Sequence, residues 1–157
     1  MINKKNWKDY CLRSNDVFFN NEIDLISGGQ AAFPFIIKKI KAARKYIFLE
    51  VYSFSDDHIG RLFHEILLEK VRQNIKVYLI YDSIGSISTG GNFFKKMKKE
   101  GIKIKEYHQA APWKPHWNLF RRDHRKLLCI DGETAFIGGF NISEYYAPQS
   151  MGGRGWK

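Results

Sequence analysis

Apolar residues along this chain repeat with the spacing of helices in some stretches and of strands in others. From Gly28-Gly29 onward, four of them recur at the i, i+3, i+4, i+7 spacing of a helix that buries one face. They are Phe33, Ile36, Ile37 and Ile40. The same spacing predicts a second helix from about residue 57 to residue 74 and a third, strongly basic one at about residues 91–99.

Strands are predicted where β-branched and aromatic residues cluster between these helices. Such segments fall at residues 46–52, 75–81, 102–107, 124–130 and 134–138, and two short strands are predicted within residues 16–27. Strands that alternate with helices predict βαβ units. The predicted fold is therefore α/β, with a mixed, largely parallel sheet that carries helices on both faces. Residues 1–157 are predicted to form a single domain.

The composition is that of a globular protein with an anionic partner. Hydrophobic residues make up 44% and charged residues 27% of the chain, and its formal net charge is +10. This charge favours nucleic acid, an anionic membrane surface or a phosphate-bearing substrate. Cys11 and Cys129 form no zinc pattern, and no apolar run reaches about 18 residues. We therefore predict a cytoplasmic chain without a spanning helix, a metal or another cofactor.

The candidate chemistry lies around the fourth of these main strands. Alternate residues of a strand share a face, so His124 and Lys126 are predicted to point the same way. The next strand would bring Gly138 and Gly139 alongside them, at a place where backbone can approach a ligand. A helix is predicted to begin at Asn141, and amides at a helix N-terminus favour an anion. Together these groups predict a phosphate site.

The spacing of these residues resembles the phospholipase D signature H-x-K-x₄-D-x₆-G-[G/S]-x-N. Six fixed positions match, namely His124, Lys126, Asp131, Gly138, Gly139 and Asn141. Residues 48–52, 56–60 and 80–86, together with Gly-Gly in place of Gly-Ser, resemble the bacterial cardiolipin synthase branch of that superfamily.

The resemblance implies roles for the matching residues. His124 would attack the phosphorus of a phosphodiester and form a phosphohistidine, and the substrate in the synthase branch would be phosphatidylglycerol. Lys126 and Asn141 would bind the phosphate oxygens, assisted by Gly138 and Gly139. Asp131 belongs to the same catalytic set, as an electrostatic and turn-forming partner rather than a proton carrier.

One part of the family pattern is missing from the chain. A two-step displacement needs a second proton-active group, which the family supplies from a second copy of the motif. No other histidine here begins H-x-K-x₄-D; the others are His58, His64, His108 and His116. The resemblance therefore implies the first half of a two-motif enzyme, truncated at its C-terminus. Two alternatives stay open: two copies pair in a phosphodiesterase that acts on nucleic acid, or an inactive fragment binds anionic surfaces.

Most of the positive charge falls between Lys95 and Lys126, next to an aromatic loop. Tryptophan beside cations suits a lipid interface, so lipid is favoured over nucleic acid and a peripheral position at the inner face of the cell membrane is predicted. The predicted membrane or head-group contacts are Trp113, Trp117, Arg121 and Arg122, although solvated charges would explain the arginines equally well. Glu50, in an apolar strand, predicts either a buried ion pair or a brace for the site.

Overall fold

The computed structural model describes residues 19–109 and 122–155, which form three helices and five strands. The helices are α1 (Gly29–Ala42), α2 (His58–Arg72) and α3 (Gly91–Lys99). The strands are β1 (Tyr46–Val51), β2 (Lys76–Asp82), β3 (Lys103–Tyr107), β4 (Leu127–Ile130) and β5 (Thr134–Ile137). Short 3₁₀ turns lie at Ile87–Thr89 and Gln149–Met151.

The five strands form one mixed sheet in the order β3-β2-β1-β4-β5. Strands β1, β2 and β3 run parallel, whereas β4 is antiparallel to β1 and β5 is antiparallel to β4. In this register Leu49 of β1 lies between Leu79 of β2 and Leu128 of β4. The carboxyl ends of β1 and β2 therefore lie at the same edge of the sheet as the amino end of β4.

The core lies between one face of the sheet and the helices. Alternate residues of β1 are buried on this face, for example Leu49 at 5% exposure. Phe33 of α1 packs edge-on against Phe63 of α2, with ring centroids 5.9 Å apart. Tyr81 of β2 stacks on Phe94 of α3 at 3.7 Å. Helices α1, α2 and α3 thus contribute to a single hydrophobic cluster with that face.

The opposite face of the sheet carries no helix among the described residues. Phe48 is 44% exposed there and stacks on Tyr78, with ring centroids 4.6 Å apart. Lys103 lies over the Tyr78 ring, and these side chains border a groove of about 370 Å³. The predicted α/β class, mixed sheet and flanking helices are confirmed, but within residues 19–109 and 122–155 the helices flank one face. On the face without a helix, Phe48 of β1 packs against the neighbouring rings of Tyr46 and Tyr78.

The segment before α1 also differs from its prediction. Residues 19–27 contain no strand, and residues 16–18 lie outside the described ranges. Ile23 and Leu25 are 90% and 96% exposed. Because these apolar side chains bury nothing, packing does not stabilise a strand here.

The start of α2 contacts both the segment that follows β5 and the end of β1. Asp57 caps α2 by accepting a hydrogen bond from the Gly60 backbone N–H, and its second oxygen accepts from the Glu144 N–H. A Cβ on Gly60 would lie 1.7 Å from the carbonyl oxygen of Ser55. Only glycine therefore permits α2 to begin so close to the end of β1.

Candidate active site

His124 is exposed at the edge of the sheet where β1 and β2 end. Asp123, just before it, and Lys126, two positions after it, are buried. Asp123 is 5% exposed and Lys126 is 9% exposed. The predicted strand 124–130 begins three residues late, at Leu127, so His124 lies in the irregular segment that leads into β4. The imidazole is accessible to a ligand, whereas Asp123 and Lys126 are packed against the protein.

Lys126 holds both the ring and the backbone of His124. Its Nζ lies 3.2 Å from His124 Nδ1 and donates to the His124 carbonyl oxygen at 2.8 Å. The ring of Tyr52 packs against the imidazole at 4.7 Å and lies 5.3 Å from the Lys126 ammonium. Burial lowers the pKa of Lys126, although the charge of Asp123 opposes the shift. The expected pairing of His124 with Lys126 is thus present as a direct contact.

Asn141 is fixed to the extension of β1. Its Oδ1 accepts from the Ser53 N–H at 3.1 Å, and its Nδ2 donates to the Tyr146 hydroxyl at 3.0 Å. A parallel bridge between Phe54 and Ile142 holds the two segments together. These contacts bring Asn141 to the edge of the sheet where Tyr52 contacts His124. The helix predicted at residues 141–146 is wrong, because these residues form turns and so offer no helix N-terminus to an anion.

Gly138 and the adjacent Gly139 follow β5, and Gly138 lies beside Lys126. The Gly138 N–H donates to the Lys126 carbonyl oxygen at 3.3 Å, so β5 continues alongside Lys126. A Cβ added at Gly138 or Gly139 would meet nothing within 4 Å. The packing of the described residues therefore does not require glycine here, and the space over both residues is open.

Asp131 does not reach the candidate site, and its place in the catalytic set is corrected. Its carboxylate accepts from the backbone N–H groups of Arg44, Lys45 and Tyr46 at 2.8, 2.8 and 2.9 Å. The whole of β4 separates it from Lys126, about 16 Å at roughly 3.3 Å per residue. Asp131 is therefore a cap for the start of β1, which agrees with the expected turn-forming role and excludes contact with the reacting group.

Of the predicted head-group contacts, only Arg122 lies in the described ranges, and its contacts with Asp82 and His108 are within the protein. Its guanidinium pairs with Asp82 at 3.4 Å and donates to the carbonyl oxygen of His108. The side chain is 16% exposed, because these inward contacts hold it against the protein. Trp113, Trp117 and Arg121 lie outside the described residues.

Carboxylates at two places near His124 contribute to the site, and the sequence predicted only one of them, Glu50. The first place holds Glu50 and Asp123, and the second holds Asp82. Arg125 pairs with Glu50 at 2.8 Å and with Asp123 at 2.9 Å. The hydrogen bond with Asp123, burial and the Asp123 charge raise the pKa of Glu50 to about 7, whereas Arg125 lowers it. Asp82, the second carboxylate anchor, is fully buried at the end of β2. A charged residue in an apolar strand signalled Glu50, while no local pattern signalled Asp82.

Comparison with known proteins gives this arrangement a family. Residues 36–148 match the family described as cardiolipin synthase, phospholipase D-like domain. The chain belongs to this phospholipase D-like family. Cardiolipin synthase A of Pseudomonas fluorescens (strain SBW25) is 32% identical over 127 residues, which cover 81% of this chain and 26% of the relative. The major cardiolipin synthase ClsA of Bacillus subtilis (strain 168) is 30% identical, with the same coverage. The phospholipase D-like chain thus spans about a quarter of the length of these curated relatives.

Two solved structures share the fold. The phospholipase D family member Nuc from Salmonella typhimurium matches with a TM-score of 0.56 and 19% identity, over 74% of this chain and 68% of Nuc. NucT from Helicobacter pylori matches with a TM-score of 0.55 and 21% identity, over 73% and 69%. The α/β architecture around His124 is therefore that of the phospholipase D superfamily.

Proposed function

We propose that this domain carries one half of the site of a cardiolipin-synthase-type phosphatidyltransferase, which acts on phosphatidylglycerol through a phosphohistidine at His124. The observation that carries the proposal is the exposed His124 ring, held at Nδ1 by Lys126 beside two glycines that leave open space. Membership of the family and the relatives at 30–32% identity support the choice of substrate.

In the first step, His124 Nε2 attacks the phosphorus, and the bond from phosphorus to the head-group glycerol breaks. Nε2 is the nitrogen left open, because Nδ1 faces the Lys126 ammonium. Attack with the Nε2 lone pair requires the ring proton on Nδ1, so Lys126 moves to a non-bridging phosphate oxygen when the substrate binds. There its charge stabilises the additional negative charge of the transition state.

In the second step, a hydroxyl of another phosphatidylglycerol attacks the phosphohistidine and the phosphorus–nitrogen bond breaks. A proton must reach the first leaving alkoxide and later leave the attacking hydroxyl. Described contacts place two other histidines elsewhere, since His64 pairs with Glu100 and His58 packs against Gly152. The second motif of a longer polypeptide, or of a second copy, supplies this group in the proposal.

The proposed location is the surface of an anionic membrane. Four lysines of α3 are exposed, while Phe94 and Met97 on the same helix are buried. They are Lys95, Lys96, Lys98 and Lys99. Each cation near an anionic leaflet adds about 1 kcal/mol of attraction. No helix within the described ranges is both long and apolar enough to cross a bilayer.

The alternative is a phosphodiesterase in which two copies of one motif pair. Its support is the fold that the chain shares with Nuc, a phospholipase D family member, at a TM-score of 0.56. In that case each copy would contribute one His124, and the net charge of +10 would attract nucleic acid.

One experiment tests both proposals. The chain is incubated with labelled phosphatidylglycerol in anionic vesicles and, separately, with single-stranded DNA, and each reaction is repeated with His124→Ala. Where two copies pair and so complete the site, we expect cardiolipin or phosphatidic acid from the lipid, a phosphatidyl group on the His124 peptide of the parent protein, and neither in the variant. Turnover of DNA but not lipid would favour the paired phosphodiesterase. No turnover of either substrate, with the parent and the variant alike, would contradict a site that a second copy completes.

A further inference from the structure

The β-ladder stops short of His124. The last residues paired between β1 and β4 are Glu50 and Leu127, three positions after the histidine. A side chain that must meet phosphorus in a defined geometry needs a fixed backbone, since small misplacements cost large factors in rate. Contacts other than the β1–β4 ladder must therefore fix His124.

Asp82 makes the first of these contacts from the end of β2. Its Oδ2 accepts from the Asp123 backbone N–H at 2.9 Å, one residue before His124. Its Oδ1 accepts from the N–H groups of Ile84 and Gly85 at 2.9 and 3.1 Å, and the Arg122 guanidinium lies at 3.4 Å. The carboxylate is fully buried, so both oxygens are committed to this junction.

A second tie acts on the other side of the histidine. Arg125 bridges the Glu50 carboxylate of β1 and the Asp123 carboxylate, and the Arg125 N–H also donates to Asp123 at 3.2 Å. The side chains of Glu50 and Asp123 are 15% and 3% exposed, whereas the side chain of Arg125 is 69% exposed. In this second tie the two carboxylates are therefore buried, and Arg125 pairs with both of them from the solvent side.

We propose that Asp82 is a positioning residue for His124, which it holds in place through the Asp123 backbone N–H, with the Glu50–Arg125 pair as the supporting tie. Because Asp82 is fixed in turn by the N–H groups of Ile84 and Gly85, the turn after β2 sets the position of the histidine. The inference takes from the proposed function that His124 is the reacting group.

The test uses nuclear magnetic resonance of the full chain labelled with ¹⁵N-histidine, and it needs no turnover. The His124 ring signals are assigned by their loss in His124→Gln and compared in the parent, Asp82→Asn and Asp82→Ala. Asp131→Asn is the matched control, since it alters a carboxylate that also accepts several backbone N–H groups at the far end of β4. Exchange of the Asp123 amide hydrogen is measured on uniformly ¹⁵N-labelled samples of the same proteins.

We expect one ordered set of His124 ring signals in the parent and in Asp131→Asn. Asp82→Ala should shift or split them toward those of a freely rotating histidine, and the Asp123 amide should exchange about tenfold faster, the factor that corresponds to one lost hydrogen bond. Asp82→Asn, which keeps one oxygen acceptor, should give an intermediate result and serves as the test if the alanine variant does not fold.

Unchanged His124 signals in a folded Asp82 variant would overturn the proposal and leave Asp82 with a role in stability alone. Equal changes in Asp131→Asn would do the same, since they would show a general loosening. Failure of the proposed function looks different. The ring signals would then depend on Asp82 as expected, while the lipid assay would show no turnover with the parent protein.

Discussion

The Lys126 ammonium lies 3.2 Å from His124 Nδ1 and 2.8 Å from the carbonyl oxygen of the same residue. One lysine thereby fixes the ring and the backbone of the residue two positions before it. The aromatic ring of Tyr52 lies against both groups. In the proposed mechanism, the Lys126 ammonium therefore lies against the His124 ring until a phosphate group replaces this contact.

Replacement of this lysine should affect the chemical step more than binding. We expect Lys126→Gln to lower kcat in the vesicle assay by about 10²–10³, the usual loss when one charge-stabilising donor is removed. The matched control is Lys105→Gln, an exposed lysine on β3, which should keep the parent rate. A rise in KM with unchanged kcat would contradict the proposed contact with the transition state.

Asp131 should matter for stability and not for the site. Desolvation opposes the shift, yet the N–H groups of Tyr46, Arg44 and Lys45 hold the pKa of Asp131 below its usual value. This stabilisation is present above the unfolded pKa and is lost as the pH falls through the folded one. Asp131→Ala should lose about 1 kcal/mol at neutral pH, as for a lost helix cap, and almost nothing in strong acid. Thermal unfolding followed by circular dichroism measures both. An equal loss at every pH would contradict the ionic cap.

Glu50→Gln should change how stability depends on pH. The pKa of Glu50 rises from 4.5 to about 7 on folding, so the folded state binds more protons in that interval. The contribution of Glu50 is therefore fully present below about pH 4.5 and is lost as the pH rises through about 7. Glutamine mimics the protonated acid and can still donate to Asp123.

The melting temperature of Glu50→Gln relative to the parent should therefore rise by a few degrees between pH 5 and pH 8, in scans of both proteins across this range. Glu65→Gln, on the exposed side of α2, is the control and should show no such trend. A constant offset at all pH values would mean that the carboxyl pair does not share a proton.

Alanine at two glycines should distinguish an effect on substrate binding from an effect on stability. Gly138→Ala should leave the melting temperature unchanged, since its methyl group meets nothing within 4 Å, but should raise KM for phosphatidylglycerol because it enters the open space beside Lys126. Gly60→Ala should cost about 3 kcal/mol, since its methyl group would overlap the Ser55 carbonyl oxygen. Parent-like kinetics for Gly138→Ala would show that the substrate does not pass over this residue.

Features that depend on neighbouring residues in the chain were predictable. Helix α3 and strand β1 follow from the spacing of apolar residues, to within one residue at each end. The motif spacing also predicted that His124 and Lys126 lie together and that Gly138 lies beside them. Lys126 contacts His124 from two positions along the chain, and the tight turn between β4 and β5 brings Gly138 to Lys126, so both relationships are local.

Features that depend on distant residues were not predictable. Asp82 contacts Asp123 across 41 positions, and Asp131 contacts Tyr46 across 85. The motif alone therefore placed Asp131 among catalytic residues, although its partners lie at the far end of the strand. The contact between Arg122 and buried Asp82 could not be predicted either, because 40 positions separate the two residues. The helix expected from Asn141 gives way to turns held by Asp57 and Ser53.

The length of strand β4 fixes the distance between two residues of the signature. The four residues of β4, Leu127–Ile130, separate Lys126, which contacts His124, from Asp131, which binds the start of β1. One inserted residue would either pull Asp131 off its three amides or rotate Lys126 to the other side of the sheet. The four positions between the lysine and the aspartate therefore set a length as well as a buried surface, since Leu128 and Ile130 also pack in the core.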